Sequence, residues 1–233
     1  MSTREQTIFD HTRRARRDRA AALVGASTGR ALLGGALAAP LFFVVALGQA
    51  ATRDGFDLRT HTISLLSNGH LGWIQIANFV VAGLLFAGAG LALRPRLAAT
   101  RAGRWTARLV TVFGLGLIGA GVFVADPAYG FPPGTPTGAP ASVSWHGALH
   151  LVVGGIGFLA LITATFSGAR YLNAQRQRGK ARTSRAIGTL FLLGLAGLGA
   201  NTAVTNVAFV LTAALAFGWA SCLALLALRA ARC

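Results

Sequence analysis

From residue 186 to residue 228 the chain carries no charged side chain. As one straight helix those roughly 43 residues would extend about 64 Å, twice the roughly 30 Å hydrocarbon core of a bilayer. The run must fold back on itself. The polar cluster Asn201, Thr202, Thr205 and Asn206 is the one place in it where a turn could satisfy its backbone groups. Two crossings follow, at about 186–200 and 207–228.

Four further runs lack charge and are long enough to cross a membrane: 31–52, 71–93, 107–125 and 145–168. Of the 233 residues 54% are hydrophobic and 12% charged, against about 25% charged in an ordinary soluble domain, so water is not this chain's main solvent. The expected fold is all-α, a six-helix transmembrane bundle. Its membrane domain spans 31–229, behind a basic cytoplasmic tail at 1–30 expected to be disordered and before a cytoplasmic end at 230–233.

Orientation follows from the basic residues. All 22 Lys and Arg except Arg53 and Arg59 lie in the tail, in the loops 94–108 and 170–185, or at the C-terminus. The positive-inside rule then requires an even number of spans with both termini cytoplasmic. Sorting by membrane side also accounts for the net charge of +16, so nucleic acid is not an expected partner. The bilayer is, and the Arg-rich tail is placed to meet anionic lipid headgroups at about 1 kcal/mol per basic residue. The first run lies too far from the start, and is too long, for a cleaved signal peptide. Arg in place of Lys, with abundant Ala and Gly, points to a bacterial plasma membrane. Only Cys222 and Cys233 are present, so no disulfide can staple the outer loops.

Small residues mark expected helix seams: Gly83 with Ala87, Gly116 with Ala120, and Gly154, Gly155 and Gly157. Pro40 is expected to kink the first span and free a carbonyl that a neighbour must satisfy. No Asp, Glu, Lys or Arg lies in the middle of any span, which weakens an ion-coupled transporter reading.

Polar residues able to act concentrate toward the outer face. His61, Ser64 and Asn68 have the spacing i, i+3, i+7 of one helical face. Gln49, Gln75 and Asn78 end the first two spans at similar depth. Asp126 opens a Pro- and Gly-rich loop at 126–144, too constrained for helix or strand and expected to form a stiff lid. His146 and His150 are an i, i+4 pair, the spacing by which two imidazoles on one helix can share a metal ion if a third ligand arrives from elsewhere. His61 and Asp126 are the candidates for that role, with zinc the candidate metal, and Ser64 or a bound water would complete the chemistry. Each residue also has a plainer use. Asp126 before Pro127 can cap a turn, Ser64 and Asn68 can cap a short helix, and interfacial His can bond backbone, water or lipid phosphate.

The sequences His61-Thr-Ile-Ser64, Leu71-Gly72-Trp73 with Gln75 and Asn78, Asp126-Pro127 through Gly130 to Pro132-Pro133-Gly134, and His146-Gly147 with His150 together resemble a family of bacterial multi-pass membrane proteins catalogued as domain of unknown function 998. The resemblance runs from about residue 34 to 229. It implies a six-helix bundle, no established activity, and an outer-face site shared by these polar residues, without Asn201 or Asn206. A looser likeness is to membrane hydrolases that hold zinc through a His-x-x-x-His pair, a further His and an Asp, although order and span number differ.

Three functions are compatible with this pattern. One is an outer vestibule that binds a lipid headgroup or small polar ligand through His61, His146 and His150, with a dependence on external acidity. The second is a zinc-dependent hydrolase acting on lipid. The third is a carrier of an uncharged or lipidic substrate, which would show repeat symmetry that the sequence does not display.

Overall fold

The computed structural model describes the backbone of residues 3–140 and 142–230 and the side chains of residues 25–140 and 142–230. The tail expected to be disordered is helical in its backbone from residue 3 and runs without a break into the first span, whereas its expected contact with headgroups concerns side chains that up to residue 24 lie outside the described residues, as does most of the cytoplasmic end at 230–233. Six α-helices form: α1 (Thr3–Thr52), α2 (Gly72–Leu93), α3 (Arg101–Val122), α4 (Trp145–Ala174), α5 (Arg178–Gly197) and α6 (Ala203–Ala230). Each includes a stretch long and apolar enough to cross a membrane, beginning at Gly25 in α1. At one end the helices overshoot the uncharged runs. α3 starts at Arg101, α4 continues to Ala174 and α5 starts at Arg178. Arg and Lys are good helix formers whose long stems reach from the apolar zone to water, so a charge ends a hydrophobic run without ending a helix.

The long uncharged run reverses at Asn201 and Thr202. Asn201 takes the left-handed conformation (φ 41°), which Asn tolerates better than other side chains, and Thr202 caps α6 by accepting from the Thr205 amide. The turn is tighter than expected because Thr205 and Asn206 belong to α6.

Each helix packs on its neighbours in sequence, and α6 returns to α1 to close a ring. α6 fills the centre with Phe217, whose ring lies 4.7–6.4 Å from those of Phe42, Phe43, Phe86, Phe113 and Phe158. The outside carries exposed aliphatic residues such as Val44, Leu84, Leu115 and Leu211, as lipid contact requires. Small residues bring the backbones together: a Cβ on Gly116 would lie 2.6 Å from the Gly157 Cα, and one on Gly83 would lie 2.6 Å from the Gly114 carbonyl oxygen.

Pro40 lies inside α1, and next to it the helix receives a side chain from α6 that the sequence did not reveal. One residue before it, the Ser221 hydroxyl of α6 enters the α1 ladder, accepting from the Ala39 amide (3.2 Å) and donating to the Gly35 carbonyl (2.8 Å). The inserted hydroxyl bridges a backbone amide and carbonyl of α1 and ties α1 to α6.

The bundle has two unlike ends. The lid end carries loops 53–71 and 123–144 and the Asn201 turn, with Asn206 donating to the Arg59 carbonyl. The basic end carries the two Arg-rich connections and both outer helices' far ends, for Gly25, Gly29 and Arg30 of α1 share a cleft with Arg96 and with Leu228 of α6.

Candidate functional site

The expected short helix in the first lid-end loop is a 3-10 turn, Ile63–Ser67, and Ile63, Leu65 and Leu66 are buried. A 3-10 turn has three residues per turn, so the α-helical spacing of His61, Ser64 and Asn68 does not put them on one face. They part instead. The buried His61 ring accepts at Nδ1 from the Asp57 amide (2.9 Å), which leaves the proton on Nε2, and Nε2 donates to the Tyr129 carbonyl in the lid (2.9 Å). Both nitrogens are occupied. Beside it Phe131, also from the lid, is buried against Phe56 and His61, with the Arg53 guanidinium 4.8 Å from its ring centre. Arg53 donates to the Leu66 and Asn68 carbonyls, both at 2.6 Å, and burial pushes its pKa below the ordinary value. Asp57 faces solvent and pairs with Arg59 at 2.9 Å, whose hydrogen bond holds its carboxyl below the usual range. The lid is thus docked by one imidazole bond and one aromatic plug, and Ser64 shares a hydrogen bond with Thr62 (3.0 Å).

Asp126 does cap. Its carboxylate accepts from the amide and hydroxyl of Ser144, and Ser144 in turn caps α4 by accepting from the Gly147 amide. Gly147 is required there, because a Cβ would overlap the Asp126 carboxylate. His146 and His150 separate. His146 is exposed and lies over Trp145, centroids 3.5 Å apart. His150 is buried and turned to α3, where Nδ1 meets the carbonyls of Ala120 (3.0 Å) and Phe123 (2.8 Å). Those carbonyls belong to the last turn of α3 and the residue just after it, so the imidazole acts as a C-terminal cap.

The supporting amides do converge, though on one another. Gln75 Oε1 accepts from Gln49 Nε2 (3.0 Å) and Asn78 Nδ2 (3.2 Å), and Asn78 also donates to the Phe42 carbonyl (3.0 Å). Gln49 Oε1, Gln75 Nε2 and Asn78 Oδ1 are left buried without a partner. Asn68 is occupied by the carbonyls of Leu65 and Ala125.

These placements correct the expected metal site. His61 has no free nitrogen, Asp126 is engaged by Ser144, and His146 is stacked on the surface while His150 is buried. Among the described residues no group of three His, Cys, Asp or Glu side chains is placed to share a metal ion. The donor set does not fit zinc.

What the lid end does hold is a cavity of about 190 Å³ within the helix ring. Its walls are mainly aromatic and aliphatic, with Phe42, Phe79, Phe158, Phe209 and Phe217 drawn from four helices. Three polar residues reach it: Thr62 and Ser64 from the 3-10 turn, and His150. The expected polar vestibule is therefore an apolar chamber with a polar corner. Since Nδ1 must be a donor to face two carbonyls, Nε2 is an acceptor, and it has no partner among the described residues.

The chamber's side wall is the α4–α5 seam. Below it the seam is closed, by Ser184 donating to the Thr165 carbonyl (2.7 Å) and by Phe158 against Phe191 (5.4 Å). Toward the lid Gly154, Gly155 and Leu151 of α4, Leu195 of α5 and Leu198 just after it line the cavity, and Leu151 is 67% exposed. A Cβ on Gly155 would meet nothing within 4 Å. Leu151 thus belongs both to the cavity lining and to the exposed outer surface of the bundle. Sequence reasoning that followed polar residues missed the Phe lining and read Gly154 and Gly155 as packing. Two adjacent glycines at the lid end of one span were the available signal.

Residues 36–229 match the family described as Protein of unknown function (DUF998). No curated protein and no solved structure matches the chain.

Proposed function

We propose a function for this chain, which belongs to the DUF998 family, from its cavity: it binds a membrane amphiphile that enters sideways between α4 and α5. The ligand has an apolar ring or chain and, at the inserted end, a hydroxyl or similar hydrogen-bond donor. The observation that carries this is the His150 ring, held by α3 so that an unpaired acceptor borders an otherwise apolar chamber. Thr62 and Ser64 also line the chamber, their hydroxyls sharing a hydrogen bond. With the lid end outside, by the distribution of Lys and Arg, the ligand comes from the outer leaflet of a bacterial plasma membrane and both termini are cytoplasmic.

Size and solvent bound the reading. A cavity of about 150 Å³ accommodates benzene, so about 190 Å³ seats a ring or a short length of chain while the rest of the molecule stays in the bilayer. Lipid is as apolar as the cavity wall, so burial there confers little preference over bulk membrane. Discrimination falls to the polar corner, where one hydrogen bond contributes about 1 kcal/mol, or roughly fivefold.

The test uses a long-chain n-alkanol and its methyl ether, which lacks the donor, added to purified protein and weighed by native mass spectrometry. Retention of the alkanol about fivefold above the ether, with both lost in Gly155→Leu, is the expected result. Equal retention of the two, or retention unchanged by Gly155→Leu, refutes the proposal.

A further inference from the structure

The basic end holds a second and larger recess, of about 730 Å³, that the sorting of charges by membrane side does not explain. It lies among the α2–α3 connection, the end of α4, the start of α5 and the end of α6. Its floor is aliphatic, with the buried Leu97 and the partly exposed Leu223 and Leu226. Two cations stand on it, Arg96 from the α2–α3 connection and Lys180 from α5, together with Tyr171. Arg96 is aimed by one bond, Nη1 to the Ala92 carbonyl (3.2 Å), which leaves the rest of its donor fork free of hydrogen bonds among the described residues.

Among the described residues neither cation has a counterion at this end. The chain's acidic residues are Glu5, Asp10, Asp18, Asp54, Asp57 and Asp126, so neither Arg-rich connection contains one, and among the described residues the ion pair formed is Arg59 with Asp57 at the other end. Positive-inside sorting requires cations here but not two of them over one aliphatic recess. Cations above, hydrocarbon below and, among the described residues, no carboxylate to compete is the complement of a lipid phosphate joined to an acyl chain. A zwitterionic headgroup would bring an ammonium that finds no acidic partner.

We infer that this recess is a binding site for one anionic phospholipid, its phosphate between Arg96 and Lys180 and its chain along Leu223 and Leu226. Each cation multiplies retention of an anionic headgroup about fivefold, so the pair together gives roughly 25-fold.

The experiment places the full chain in nanodiscs of phosphatidylglycerol and phosphatidylcholine, extracts it in mild detergent and counts retained lipids by native mass spectrometry. Three variants are compared: Arg96→Gln with Lys180→Gln; Arg94→Gln with Arg101→Gln, which removes equal charge from outside the recess; and Arg96→Lys with Lys180→Arg, which keeps the charge. The expected outcome is one phosphatidylglycerol retained by the wild type, the second pair and the charge-keeping pair, with a loss of about 25-fold in the first pair. Equal retention of the two lipids overturns the inference. So does an equal loss in both neutralised pairs, which would mean diffuse attraction. Displacement of the lipid by millimolar glycerol phosphate would mean an anion site without a lipid site, and overturns it too.

Discussion

His150 has two jobs on two nitrogens, and substitution can separate them. Nδ1 caps α3 through the carbonyls of Ala120 and Phe123, while Nε2 borders the cavity. His150→Leu keeps apolar bulk but strips the donor from two carbonyls. A stranded buried acceptor costs about 1–3 kcal/mol in water-soluble proteins, and hydrogen bonds within membrane bundles average about 0.6 with a maximum near 1.7. The expected loss is therefore about 1–2 kcal/mol. His150→Asn is different, because an amide Nδ2 occupies nearly the position of imidazole Nδ1. It restores the cap and leaves no acceptor at the Nε2 position, its own Oδ1 lying where the imidazole has Cδ2. Unfolding of the purified variants in mixed micelles should show Asn within about 1 kcal/mol of wild type and Leu below it. Alkanol retention measured on the same samples should lose its roughly fivefold advantage over the ether in both variants. An Asn variant that still prefers the alcohol would show that Nε2 is not the acceptor. A Leu variant as stable as wild type would refute the capping role.

Glycine substitutions should divide by what their Cβ meets. Gly155→Leu, with open space around it, is expected to abolish alkanol retention at unchanged stability, whereas Gly116→Ala, whose Cβ would press on the Gly157 backbone, should cost about 1–3 kcal/mol in the same unfolding assay. Ser221→Ala removes the hydroxyl from the α1 ladder and is expected to destabilise by about 0.6–1.7 kcal/mol, read from denaturant midpoints, with Ser221→Thr restoring part of it. Asp126→Ala unlocks the Ser144 cap of α4 and should cost about 1 kcal/mol while speeding proteolysis of the 126–144 lid.

The spans were legible because charge exclusion and bilayer thickness act on single residues and simple lengths. The reversal inside 186–228 followed from the same arithmetic. The missing amide of Pro40 was legible, but Ser221 stands 181 positions later and nothing local announces its bond to the α1 backbone. At the lid end the sequence singled out polar residues, of which Gln49, His61, Asn68, Gln75, Asn78 and His150 are buried while His146 is exposed, and misjudged what they bond. His61 pairs with the Tyr129 carbonyl, His150 with Ala120 and Phe123, and Asn78 with Phe42. Side-chain spacing says which residues share a helix face. It does not show that helix ends and loops leave carbonyls seeking donors, and these engage His61 and His150. The cavity was hidden for another reason. It is made by what Gly154 and Gly155 lack and by Phe side chains from separate helices, and neither leaves a period in the sequence.

The most direct test of a lateral binding chamber is photolabelling in membranes with a long-chain alcohol that carries a diazirine near its hydroxyl, followed by peptide mapping. Labels concentrated on residues 151–158 of α4 and 195–213 of α5 and α6, and absent in Gly155→Leu, are predicted. Labels spread over the exposed outer faces around Val44, Leu84 and Leu115, equal in both proteins, would contradict the account.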